Sequence, residues 1–169
     1  GVSSAASDVY KRQDIPDVIE DKNTIEENAK KKAKECYEVF KSPIISDDSG
    51  LFVDALEGQP GVHSKRYAGF SSTDVENNQK LINELKTADN LSAFFKTVLC
   101  YFDGLNFITS KGVLEGKIVF EPRGKNGFGY DPIFEVSGKT LAEMTLDEKS
   151  NISHRKLAAV KLVEKLNEI

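Results

Sequence analysis

Several features that would direct this 169-residue chain toward a membrane, a metal cage or a nucleic-acid surface are missing from it. No apolar run approaches the ~20 residues that a bilayer-spanning helix needs. No succession of basic, apolar and small residues opens the chain as an export signal would. Cysteine is scarce: Cys36 and Cys100 lack the paired spacing of a zinc site or a disulfide framework. A reducing, cytoplasmic setting is the expectation. Positive charge is outnumbered, with 23 Lys and Arg against 27 Asp and Glu and a net charge of −4. Broad electrostatic capture of nucleic acid is therefore not expected. A small anion is another matter, because a few converging cations hold a triphosphate even on an acidic protein. Internal repeats and low-complexity stretches are absent too. What remains, 39% hydrophobic and 30% charged residues, suits one globular domain with a single substantial core.

The first thirteen residues stand apart. Gly1 to Gln13 shows neither hydrophobic periodicity nor a helix cap. Ser3 to Gln13, SSAASDVYKRQ, coincides with one translated frame of a widely used transposase sequencing adapter. The expectation is that natural sequence begins near Asp14 and that 14–169 forms one domain.

From Thr24 onward the elements are readable. Thr24-Ile25-Glu26-Glu27 has the form of a capping box, and a helix to about Phe40 follows, with Ala29, Ala33, Cys36, Tyr37 and Phe40 on its apolar side. Pro43 to Ile45 reads as a short strand running into Ser46-Asp47-Asp48-Ser49-Gly50, and Leu51 to Leu56 as a further extended segment closed by Gly58, Pro60 and Gly61. Thr73 to Glu76 repeats the capping box before a helix to about Lys86. Ala93 to Phe102 predicts a long strand, with Phe107–Thr109 and Gly112–Phe120 as antiparallel neighbours. Gly124 to Pro132 is a glycine-studded loop. A last helix opens near Ser153 and places Leu157, Val160, Leu162, Val163, Leu166 and Ile169 toward the core. Helix, strands, helix, strands, helix is an α/β pattern around a central sheet.

Four groups of residues could carry chemistry. Asp47 and Asp48 sit at the end of an apolar strand, where α/β sheets place ligands. Carboxylates there need a cation, donors or water, and Mg²⁺ accepts one or two of them; an ordinary Asx turn is the alternative. Asp17 and Glu20 belong to an acidic run, Asp14 to Asp21, that by itself reads as solvated surface. Lys30, Lys31, Lys32 and Lys34 crowd the first helix, and Lys32 falls at the edge of its apolar face, from where it either reaches a phosphate or stays solvated. Gly127-Phe128-Gly129-Tyr130-Asp131-Pro132 offers a flat ring for stacking on a nucleobase, or a loop pinned by two half-buried aromatics. Lys149, Ser153, His154 and Arg155 form the sharpest cluster. With Ser153 as N-cap, His154 and Arg155 fall in a first helical turn that disfavours cations. Either a ligand acceptor, a phosphate or a purine 6-keto oxygen, compensates them, or an exposed arginine is tolerated there.

TIEENAKKKA (24–33), SDDSGLFVDALEGQPGVHSKRYAG (46–69), GFGYDPIF (127–134) and the segment from Glu143 through EKSNISHRKLA (148–158) together resemble the inosine triphosphate pyrophosphatase family. The resemblance runs from about Asp14 to the C-terminus. It implies a long mixed sheet flanked by helices, two lobes with a central cleft, a homodimer, and hydrolysis of ITP, dITP or XTP to the monophosphate and pyrophosphate with Mg²⁺. It further implies Asp48 as catalytic and metal-linked, Ser49 and Lys32 as substrate contacts, and Phe128, Gly129, Tyr130 and Asp131 as the base loop. Lys149, His154 and Arg155 become purine readers, and Glu20 the second metal ligand with Asp17 competing. A family opening of the form T/S-G-N-x-x-K is not matched in Gly1 to Gln13, so the chain as written is expected to be impaired. The competing expectations are a Maf-like pyrophosphatase of pyrimidine nucleotides and a nucleotide-binding module without turnover.

Overall fold

Helix α1, Ile25–Phe40, begins where the Thr24 backbone is extended and its hydroxyl accepts the Glu27 amide at 3.1 Å. The structure, a computed structural model, describes residues 15–169. The expectations for residues 1–13, including the unmatched opening loop, lie outside the described residues. Along α1 the stripe Ile25, Ala29 and Ala33 is buried, and two alanines let the helix lie close against Val98 and Cys100 of the sheet. Asn28 joins that stripe: its Oδ1 accepts the Lys22 amide at 3.0 Å and ties the preceding segment to the helix.

Strand β1 is Ile44–Val53, a single ten-residue strand. The expected interruption at Ser46–Gly50 does not occur, because every residue from Ile44 to Val53 is registered antiparallel with β2, Ser92–Phe102. Pairing with a long β-rich partner overrides the local turn preference of Asp, Ser and Gly. Gly50 serves space rather than turning: a Cβ there would press on the Gly61 carbonyl at 2.5 Å. β3, Phe107–Ile118, is likewise continuous where two pieces were expected, and it pairs with β2 along its length. Short strands β4, Phe134–Val136, and β5, Lys139–Thr140, complete a meander in the order β1-β2-β3-β4-β5, antiparallel at each step.

Helix α2, Asp74–Glu84, opens on a complete Thr73–Glu76 capping box and buries Leu81 and Ile82 in the larger core with Leu51, Val53, Ile133 and Phe134. Helix α3, Leu146–Ile152, has its own box from Thr145 and Glu148. Helix α4, His154–Asn167, is capped by Ser153 as expected. Its buried face differs from the expected stripe. Ala158 and Leu162 are buried, whereas Leu157, Val160, Val163 and Ile169 are exposed. The reason lies in β3: a Cβ on Gly112 would overlap the His154 carbonyl and the Ala158 amide nitrogen. The small residue of the helix meets the glycine of the strand, and that contact sets which arc faces inward. Ser110 adds a hydrogen bond from its Oγ to the Ala158 carbonyl at 2.7 Å. The sheet is thus flanked by α1 on one face and α4 on the other. Among the described residues no helix is long and apolar enough to cross a membrane.

Candidate active site

Alternation along β1 sends neighbouring side chains to opposite faces of the sheet, and that separates the two aspartates. Asp48, 8% exposed, turns toward α1. Asp47 turns toward α4. Both border one cavity of about 450 Å³, which is also lined by Glu20, Lys32, Ser49, Phe128 to Asp131, Lys149, His154 and Arg155. Asp48 lies in the middle of its strand, not at the C-terminal end that the sequence suggested. Every site residue expected from the sequence borders this space except Asp17, which is exposed and does not line it.

On the α1 side, one ammonium gathers three oxygens. Lys32 Nζ lies 2.5 Å from Glu20 Oε1 and 3.4 Å from Asp48 Oδ1, and donates to the Asp47 carbonyl at 2.9 Å. Burial pushes the Asp48 carboxyl above its ordinary value; the Lys32 charge opposes this, and the Glu20 charge adds to it. The Ser49 amide also donates to Asp48 Oδ1, at 3.1 Å. Burial works against the charge on Lys32, yet the hydrogen bond to Glu20 and the charges of Asp48, Glu20 and Asp47 hold its pKa above that of a free lysine. Two carboxylates facing a single cation position suit a hard divalent ion that takes one or two carboxylates and completes its shell with water and phosphate oxygens. No group of three or more His, Cys, Asp or Glu side chains able to hold a metal exists among the described residues. Glu20 and Asp48 are thus a pair of donors and not a closed protein cage.

The α4 side is built differently. His154, the first residue of α4, stacks on Phe95 with centroids 5.2 Å apart and planes 12° from parallel. Burial, together with the Arg155 and Lys149 charges, lowers its pKa to about 4. It is thus a neutral imidazole, so of the expected pair only Arg155 is charged, alongside Lys156 in the same turn. Its Nδ1 is buried without a hydrogen-bond partner among the described residues. Arg155 donates from Nη1 to Asp47 Oδ2 at 2.7 Å. A protein carboxylate thus supplies the anion that this helix start calls for.

The loop over the cavity is braced from inside. Asp131, 5% exposed, accepts from the Phe128 amide at 3.1 Å and from Lys149 Nζ at 2.5 Å through the same Oδ2. Lys149 Nζ also sits 5.0 Å from the centre of the Phe128 ring, which is 69% exposed. Tyr130 is buried, and its hydroxyl donates to the Ser64 carbonyl at 2.6 Å. The loop therefore holds one pinned aromatic and one presented aromatic.

Sequence reasoning missed several residues here. Ser64 bonds the Leu51 amide and the Gly61 carbonyl, Phe95 stacks on His154, and Thr97 bonds the Ser49 hydroxyl at 2.7 Å. None stood out locally, since the contacts with Leu51, His154 and Ser49 join residues distant in sequence. Asp74 and Asn77, which also line the cavity, looked like ordinary helix-start residues.

The Ham1 family profile matches residues 2–165. A dITP/XTP pyrophosphatase of Caldanaerobacter subterraneus subsp. tengcongensis is 50% identical over 153 residues, covering 88% of this chain and 76% of that protein. The solved structure of a HAM1 protein from Coxiella burnetii superposes with a TM-score of 0.86 at 43% identity, covering 92% of this chain and 82% of the other. A nucleoside-triphosphatase described as a dITP/XTP pyrophosphatase from Mycobacterium abscessus superposes with a TM-score of 0.79 at 36% identity, covering 92% and 83%. Sequence match, shared fold and a single cavity holding the motif residues agree: the chain belongs to the Ham1 family.

Proposed function

We propose that this protein is a nucleoside-triphosphate pyrophosphatase that hydrolyses the non-canonical purine nucleotides ITP, dITP and XTP to monophosphate and pyrophosphate, within a single domain spanning 14–169. The carrying observation is the cavity itself, in which a buried carboxylate beside a lysine shares one space with a presented aromatic and the start of α4 with its His154 and Arg155. The names of the relatives support dITP and XTP among these substrates.

Glu20 and Asp48 would hold Mg²⁺, which when bound neutralises phosphate charge and polarises the anhydride. In this reading Asp48 orients water and takes its proton, supported by its burial, its hydrogen bond from the Ser49 amide, and the upward push that burial gives its carboxyl. Lys32 is a point charge for a phosphate oxygen, already within reach of both acids. Phe128 stacks on the base: its ring is largely exposed beside the Lys149 ammonium, and its amide is fixed by Asp131. Arg155 keeps one N–H on Asp47 and has others for a purine 6-keto oxygen, beside the neutral donor–acceptor ring of His154. Adenine presents an amino donor at that position and would leave these donors unpaired. Sites of this kind discriminate by about 10⁴–10⁵.

The homodimer belongs to the same reading. It is supported by the exposed apolar arc Leu157, Val160 and Val163 on the outer side of α4, and light scattering checks it. The direct test of function is pyrophosphate release from ITP, XTP and dITP against ATP, UTP and dTTP, with Asp48→Asn as control. Equal rates on ITP and ATP, or preference for UTP and dTTP, overturn the reading.

A further inference from the structure

One residue of the loop, Gly129, has both of its backbone polar groups bound to a single helix. Asp74 Oδ2 accepts the Gly129 amide at 2.9 Å, and Asn78 Nδ2 donates to the Gly129 carbonyl at 3.2 Å. Asp74 and Asn78 are four residues apart on α2, hence on one face. Asn78 is 7% exposed, and its Oδ1 has no hydrogen-bond partner among the described residues. The buried amide is therefore oriented by the loop alone. Gly129 has φ +62°, a left-handed conformation in which the chain turns between Phe128 and Tyr130. On its other side the Phe128 amide is fixed by Asp131, and beyond Gly129 the Tyr130 hydroxyl is anchored on Ser64. The Phe128 backbone is thus held on both flanks while its ring stays exposed, as a stacking platform requires.

We propose that Asp74 and Asn78 are positioning residues for nucleobase binding: they clamp Gly129, and through it set the angle at which Phe128 meets the purine. This rests on the reading of residues 127–131 as the base-binding loop. Asn78 does not line the cavity, and Asp74, which borders it, is engaged by the Gly129 amide; both act through the loop. Stacking on a flat ring is worth about 1–3 kcal/mol and depends on ring placement, so the clamp acts on substrate affinity and leaves the acid–lysine chemistry at Asp48 untouched.

Asp74 also sits in the first turn of α2, where its charge favours the helix dipole. The two roles separate by substitution. Asp74→Asn loses the charge but keeps an acceptor for the Gly129 amide; Asp74→Ala loses both. The experiment is steady-state ITP hydrolysis with Asp74→Ala, Asp74→Asn, Asn78→Leu and Phe128→Ala, each with its thermal midpoint. Asp74→Ala and Asn78→Leu are expected to raise KM about tenfold with kcat held within about twofold, and Asp74→Asn to stay near the parent. The proposal is overturned if KM is unchanged in Asp74→Ala and Asn78→Leu, or if Asp74→Asn behaves as Asp74→Ala does. Should Asp74→Ala fail to fold, Asn78→Leu decides alone by the same KM criterion. Phe128→Ala distinguishes the two levels. If it raises KM while the clamp variants do not, only the clamp fails; if it leaves KM unchanged, the base-loop reading fails and takes the clamp with it.

Discussion

Acidification isolates His154 more cleanly than any substitution at the acidic side of the cavity. In the folded protein its pKa is about 4, chiefly because the ring is buried against Phe95 and faces the charges of Arg155 and Lys149. In the unfolded chain it returns to the ordinary 6.5. Between those values the unfolded state binds a proton that the folded state refuses, so stability falls as pH falls through that window. Above 6.5 the contribution is fully present. Each pH unit is worth about 1.4 kcal/mol, giving roughly 3 kcal/mol lost by pH 4. For a domain of this size the corresponding fall in Tm is on the order of 10 °C. Carboxylates protonate over part of the same range, so the assay compares the parent with His154→Gln by thermal denaturation at several pH values from 7 to 4. The variant loses some stacking energy at every pH, but its curve should be shallower by the stated amount. Parallel curves for the two proteins would refute the buried neutral imidazole.

Three further outcomes are expected. Asp48→Asn should reduce kcat for ITP by at least about a hundredfold while leaving Tm level or slightly higher, since a desolvated carboxylate is removed; pyrophosphate release and calorimetry read the two effects. Arg155→Ala should narrow the ITP-to-ATP ratio of kcat/KM by about tenfold or more, measured in a competition assay with both nucleotides present. Gly112→Ala should destabilise by about 1–3 kcal/mol in urea titration, because its methyl group meets the backbone of α4 and not a side chain able to swing away.

Three helix starts were legible because caps are local: Thr24, Thr73 and Ser153 each bond an amide three residues on, as their spacing implies, whereas the equally local Thr145–Glu148 box that opens α3 was missed. The course of β1 was not. Ser46 to Gly50 carries turn-forming residues, and only the ladder to β2, a strand remote in sequence, holds them extended. The inward arc of α4 was illegible for the same reason, since a glycine on β3 selects it. Within the site, motif residues could be named individually, but what faces each of them could not. That Asp47 would neutralise Arg155, or that Asp74 and Asn78 would hold Gly129, depends on contacts that no spacing along the chain encodes.

The pleat of β1 has a consequence for how this site tolerates change in length. Asp47 and Asp48 are adjacent in sequence, yet one partners Arg155 and the other Lys32 across the thickness of the sheet. Deleting or inserting one residue between Ile44 and Ser46 would turn the following side chains to the opposite face, so that each acid leaves its partner and a serine takes one of the two positions. Point substitutions erode one half of such a site at a time; a frame change in this strand would disrupt both halves together.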